Sequence, residues 1–219
     1  MAIQSAFALG LHRGKETHVI FPLDEQAVRR NVWRSLFVLD RFLAAAMGRP
    51  TMISEADCSE DALDDPAAPP TPAPRMTSTL SVAVKIAKVV GRILKNIYST
   101  RRVSVKLGQK FAKDCKDLEI LFQEDLSWER AMDPSTPPKH AVSILHLNLY
   151  YYHAVVLYTR PFFLFLLKKD QVDGVPPARF STRIQRFSKT CVTTSENTVD
   201  LVHGAFAARY LPRRNPFVT

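Results

Sequence analysis

Apolar positions recur at helical spacing through most of the chain, and no stretch keeps the two-residue alternation of a strand. Ile3, Phe7 and Leu11 mark a first helix. Asp24 and Glu25 stand where a first turn favours acids against the positive end of the helix dipole. From there Val28, Val32, Leu36 (or Ser35), Leu39, Leu43 and Ala46 repeat every three to four residues. Gly48 supplies a left-handed stop and Pro50 blocks continuation. Val82, Ile86, Val90, Ile93 and Ile97 then fall within ~80° of arc, opposite a row of Lys85, Lys88, Arg92 and Lys95.

A further helix is expected through Leu107, Phe111, Cys115, Leu118 and Phe122 towards Trp128, with a break at Pro134–Pro138. A long helix follows from Lys139 to Arg160, with Val142, Leu145, Leu149, Tyr152 and Val156 on one face. Pro161 reads as the first residue of a new turn carrying Phe162 to Leu167, apolar all round and therefore expected to be fully buried. Gly174 to Pro177 reads as a turn, and residues 181–209 as a last helix with a polar middle. The expectation is an all-α, irregular multi-helix bundle of about six to eight helices.

Charge divides the chain. Residues 51–74 carry six acids and no base, whereas the sequence as a whole is +9. Pro66, Pro69, Pro70, Pro72 and Pro74 lie in the same stretch, so residues 61–75 read as an acidic, proline-rich linker inside one regulatory-type domain over 1–219. From Pro66 to Lys113 there is no acidic residue. Only 7 glycines are present, which argues against a glycine-rich phosphate cradle and tight hairpins. The helix in register at Met1 and the Asn215-Pro216 start of another at the C-terminus read as a fragment, partial at both ends.

Reactive chemistry is sparse. Cys58, Cys115 and Cys191 are dispersed and have no metal-ligand spacing, so no metal site is expected in this chain. There is no nucleophile elbow, HExxH or P-loop. His146 and His153 share a helix face ~10 Å apart, too far for one metal without other ligands. An enzyme site among Tyr150, Tyr151, Tyr152, His146 and His153 ranks behind a non-catalytic reading. Asp57, Glu60, Asp61, Asp64 and Asp65 read as a solvated acidic loop. Ala141–Thr159 lacks charge, but His146, Asn148, His153 and Pro161 favour a buried helix over a membrane span. The basic row Lys85, Lys88, Arg92 and Lys95 reads as a solvated face; no aromatic residues alternate with it for base stacking.

The segment Arg29-Arg30-Asn31-Val32-Trp33 to Asp40-Arg41 and Gly48-Arg49-Pro50, preceded by Gly10-Leu11-His12-Arg13 and followed by Asp57, resembles the fungal-specific transcription factor domain. That domain is the middle homology region of fungal zinc-cluster regulators. Leu145 to Tyr152, Leu157 to Phe162 (with Arg160-Pro161) and Cys191 resemble its later conserved parts. Ala44-Ala45-Ala46, where a serine is common, and the polar Ser195-Glu196-Asn197 depart from it.

The resemblance implies the regulatory part of a nuclear RNA polymerase II transcription factor and no catalytic residues. The motif residues read as structural: Trp33 and Leu36 anchor the helix, and Asp40 or Arg41 forms a buried or semi-buried pair that holds neighbouring helices in register. In relatives of full length, a six-cysteine zinc cluster binds DNA. Three cysteines cannot supply that cluster, so zinc and DNA contact are implied only for a full-length relative. Protein partners, a small effector and a homodimer fit the resemblance; a membrane does not. The alternative is a stand-alone helical interaction module whose basic helix docks an acidic partner.

Overall fold

Capping residues set the helix boundaries. The computed structural model describes residues 2–14, 19–63, 79–122, 126–171, 174, 176 and 180–210. Most of the expected linker (64–75) and the Asn215-Pro216 pair lie outside these residues. The helices are α1 (Ala2–Ala8), α2 (Leu23–Met47), α3 (Glu60–Leu63), α4 (Thr79–Ile93), α5 (Val105–Glu119), α6 (Trp128–Ala131), α7 (Pro138–Gln171) and α8 (Thr182–Ala207). α3 and α6 are single turns, and no strand occurs among the described residues, so the all-α expectation holds. The chain divides into two compact units, residues 1–91 and 92–219, with the boundary in the sequence of α4. α4 runs on through a π-helical turn, Leu94–Tyr98.

In the first unit α2 starts at Leu23 with Asp24 and Glu25 in its first turn and stops at Gly48, whose φ is +64°. Its buried row is Gln26, Trp33, Phe37, Asp40 and Ala44, flanked by Arg34 and Arg41. The apolar repeat read from the sequence lies on another face: Val28, Val32, Leu39 and Leu43 are exposed, Leu39 by 53%. The two rows lie about 130° apart around the helix. The reason is energetic: Trp33 and Phe37 bury far more area than valines and leucines, and the charged groups beside them are paired rather than solvated. α4 also departs from expectation. Val82, Val84, Ile86, Ala87, Val89, Val90 and Ile93 are all buried, so about 220° of its circumference is covered rather than one narrow stripe.

In the second unit α7 and α8 pack along each other, with α5 and α6 laid against α7. Ser104 caps α5, its Oγ accepting from Leu107 N–H at 3.2 Å. Pro138 opens α7 at the position where a missing N–H costs nothing. Pro161 does not begin a new helix; it lies inside a continuous one. All-round burial also falls earlier than expected. Ile144, Leu145, Leu147, Asn148, Tyr150, Ala154 and Val155 are buried, whereas Leu164, Phe165 and Leu167 are exposed. Beyond Pro161, only Phe162 and Leu166 turn inward, one helical turn apart. The polar middle of α8 is helical, and the Ser195 and Thr198 hydroxyls there donate back to the carbonyls of Cys191 and Thr194, which satisfies them within the helix. No helix among the described residues is long and apolar enough to cross a membrane.

Candidate functional site

The densest set of polar contacts in the first unit is centred on Asp40 and Arg41. Both side chains are buried and bonded to each other. Asp40 Oδ1 accepts from Met52 N–H at 2.9 Å and Oδ2 from Ile53 N–H at 3.1 Å. One carboxylate therefore holds the chain after Gly48 antiparallel to the helix it has just left. Gly48 makes that return: its left-handed backbone lets its own and Arg49's N–H both reach Ala44 O. The Arg49 side chain and Pro50 are exposed; Arg49's contribution is its backbone.

Arg41 is held from four sides. Its guanidinium lies over the Phe37 ring at 4.4 Å, pairs with Asp40 and approaches Glu55 at 3.8 Å. The fourth side is Gly91 of α4, where a Cβ would stand 2.7 Å from Arg41 Nε. Gly91 and Glu55 are the contributors that sequence reasoning missed. A glycine in an otherwise β-branched helix run was the available signal for the first. The expected downstream acid, Asp57, is exposed, and Glu55 approaches Arg41 instead.

The Gly10-Leu11-His12-Arg13 segment closes the same unit. Gly10, at φ +69°, ends α1, and Leu9 O accepts from Arg29 at 2.5 Å. Phe7, His12 and Trp33 form an aromatic cluster with centroids 4.9 to 5.9 Å apart. His12 O accepts from Ser59 N–H at 3.0 Å. Arg13 is exposed and Arg30 half-buried. Arg34, also buried, donates to Ser81 Oγ at 2.7 Å and ties α2 to α4.

In the second unit the Arg160-Pro161 pair divides: Arg160 is exposed, and Pro161 acts through the carbonyl it leaves free at Leu157, which accepts from Tyr98 Oη at 2.9 Å. Gly108 lets α5 approach the stacked Phe162 and Phe187; a Cβ there would stand 2.9 Å from both rings. Of the basic row, Arg92 pairs with Asp114 at 3.0 Å, Lys85 and Lys95 are exposed, and Lys88 is half-buried.

His146 is exposed and His153 half-buried, so the two do not converge on one point. Burial pushes the thiol of Cys58 up to about 11 and that of Cys115 up to about 12, the reverse of what a metal ligand requires. The three cysteines do not fit a zinc cluster, and no group of metal-ligating side chains occurs among the described residues.

Asp40, Arg41 and Gly48 thus fix the turn after α2 within a helical domain. Residues 1–106 match the model of the fungal specific transcription factor domain family. It is 26% identical to an uncharacterised transcriptional regulatory protein of Schizosaccharomyces pombe over 220 residues, covering 93% of this chain and 25% of that protein. It is 29% identical to filamentous growth regulator 27 of Candida albicans over 176 residues, 75% of this chain and 22% of that protein. The chain thus spans about a quarter of the length of these relatives. No solved structure matches it.

Proposed function

We propose that the chain is the regulatory, middle homology region of a fungal RNA polymerase II transcription factor, working in the nucleus with a DNA-binding zinc cluster that three cysteines cannot supply. The observation that carries this reading is the coincidence of the family match over residues 1–106 with the Asp40–Arg41 junction, whose charged groups are paired with each other and with the chain after Gly48. Alignment with two regulators over most of the chain supports it. Such a region acts by presenting a folded surface to protein partners or an effector. Docking of an acidic partner on the basic row has less support, since Arg92 already pairs with Asp114.

The test is to tether the full chain to an unrelated DNA-binding domain at a reporter promoter in a fungal host. Transcription is expected to move several-fold, up or down, and Arg41→Ala to abolish the shift. Unchanged output from a fusion shown to be folded and nuclear overturns the proposal.

A further inference from the structure

Between the π-helical turn Leu94–Tyr98 and α5 the chain reads Arg101-Arg102-Val103-Ser104. All four residues are exposed, and neither guanidinium has an ion-pair partner among the described residues. Arg101, at φ +51°, ends the turn that follows α4. Arg102 to Ser104 belong to no helix, and Ser104 is extended, at φ −134° and ψ 151°. No other serine or threonine in the sequence has arginines both two and three residues before it. From Pro66 to Lys113 there is no acid to compete for the pair from nearby in the chain. Two hydrogen bonds tie Ser104 to its helix: its Oγ accepts from Leu107 N–H at 3.2 Å, and its carbonyl from Gly108 N–H at 3.0 Å. The hydroxyl accepts there and keeps its own proton to give.

We propose that Ser104 is a phosphorylation site for a serine kinase that reads arginines. The proposal does not depend on the regulator reading. The arginine pair, not the helix end, selects the residue: a kinase cleft takes its acceptor segment extended, and carboxylates in the cleft pair with guanidinium groups that precede the acceptor. In the transfer, Ser104 Oγ bonds to the γ-phosphorus of a nucleoside triphosphate as the bond from that phosphorus to the β,γ-bridging oxygen breaks. The hydroxyl proton passes to the kinase's base, and the nucleoside diphosphate leaves. The product brings a charge of about −1.5 to −2 to the positive end of α5, beside Arg101, Arg102 and Lys106 in the sequence. It thereby braces the first turn of the helix whose Gly108 approaches Phe162 and Phe187.

The experiment incubates the full chain with ATP, magnesium and the purified catalytic subunit of cyclic-AMP-dependent protein kinase, and maps phosphate by fragmenting the intact protein in a mass spectrometer. Phosphate is expected on Ser104. Ser104→Asn keeps an N-cap acceptor but has no hydroxyl, so it is expected to lose that phosphate while staying folded. Arg102→Ala and, as an independent variant, Arg101→Gly are expected to slow incorporation by roughly tenfold or more, with the far-UV circular dichroism unchanged. The phosphorylated chain is expected to melt about 1–4 °C higher. The chain recovered from a fungal host is expected to carry the same phosphate. Phosphate that enters Ser104 only after denaturation, that falls on other residues alone, or that enters both arginine variants at the parent rate overturns the proposal. An unmodified Ser104 in the fungal host, or a melting temperature that does not rise, overturns it as well.

Discussion

The Tyr98 hydroxyl donates to the Leu157 carbonyl across 2.9 Å, and Pro161 is the reason that carbonyl is free to accept. In an α-helix the partner of residue 157 is the N–H of residue 161, which proline lacks. Leu157 is buried, so water cannot replace the missing donor. The π-helical turn Leu94–Tyr98 ends on the tyrosine that does. Tyr98→Phe is therefore expected to destabilise the fold by about 1–3 kcal/mol. Pro161→Ala restores a backbone donor, so the double variant should recover most of that loss. Chemical denaturation of the two single variants and the double variant measures the coupling, and strictly additive losses would contradict the pairing.

Gly91 and Arg41 form a second coupled pair. A methyl group at Gly91 would stand 2.7 Å from Arg41 Nε and 3.2 Å from its Cδ. Arg41 has little room to yield, because Asp40, Glu55 and Phe37 hold it. Gly91→Ala should cost about 1–3 kcal/mol. Arg41→Ala should cost about 3–5 kcal/mol, since it leaves the Asp40 carboxylate buried without its countercharge. In the double variant the methyl group meets no arginine, so the combined loss should fall short of the sum in a double-mutant cycle.

Gly48 carries its cost in the backbone alone. A Cβ there meets nothing within 4 Å, but the φ of +64° is unfavourable for any L side chain. Gly48→Val is expected to lower stability by about 1–2 kcal/mol, read as a lower melting temperature with an unchanged circular dichroism spectrum below the transition. An unaltered melting temperature would mean that the left-handed turn is not needed to bring residues 52 and 53 back to Asp40.

Stability should be greatest between neutral pH and the ordinary thiol range. Burial holds the His153 imidazole below its usual value of 6.5. Its contribution is therefore present above that value and is lost as pH falls through the folded-state value. Burial acts in the opposite direction at Cys115, whose thiol is pushed up to about 12 from 9.0. That contribution is present below the unfolded-state value and lost as pH rises towards 12. Thermal melts across pH should show a plateau, with His153→Gln flattening the acid limb and Cys115→Ala the alkaline one. An acid limb identical in His153→Gln would exclude this histidine as its cause.

The sequence by itself determined that the chain is helical and where α2 begins and stops, although it placed a new turn at Pro161 inside what is one continuous helix. Gly48, Ser104, Pro138 and the acids at residues 24 and 25 act on their own turns of backbone, and local physics needs no partner. It also determined that Cys115 and Cys191 are buried, because both sit on strongly apolar rows. Which face of α2 points inward was decided only by tertiary structure. A count of apolar residues favours Val28, Val32, Leu39 and Leu43; the motif pointed to Trp33 and to an Asp40 or Arg41 pair, but Arg34, buried beside them, looks like a solvent position until its partner is known. The partners are Met52 and Ile53 for Asp40, Glu55 and Gly91 for Arg41, and Ser81 for Arg34, 12 to 50 residues further along the chain. The pairing of Pro161 with Tyr98 is non-local in the same way. Periodicity reports the cost of solvating a side chain, whereas burying a charged or freed polar group depends on a partner that only the folded chain brings within reach.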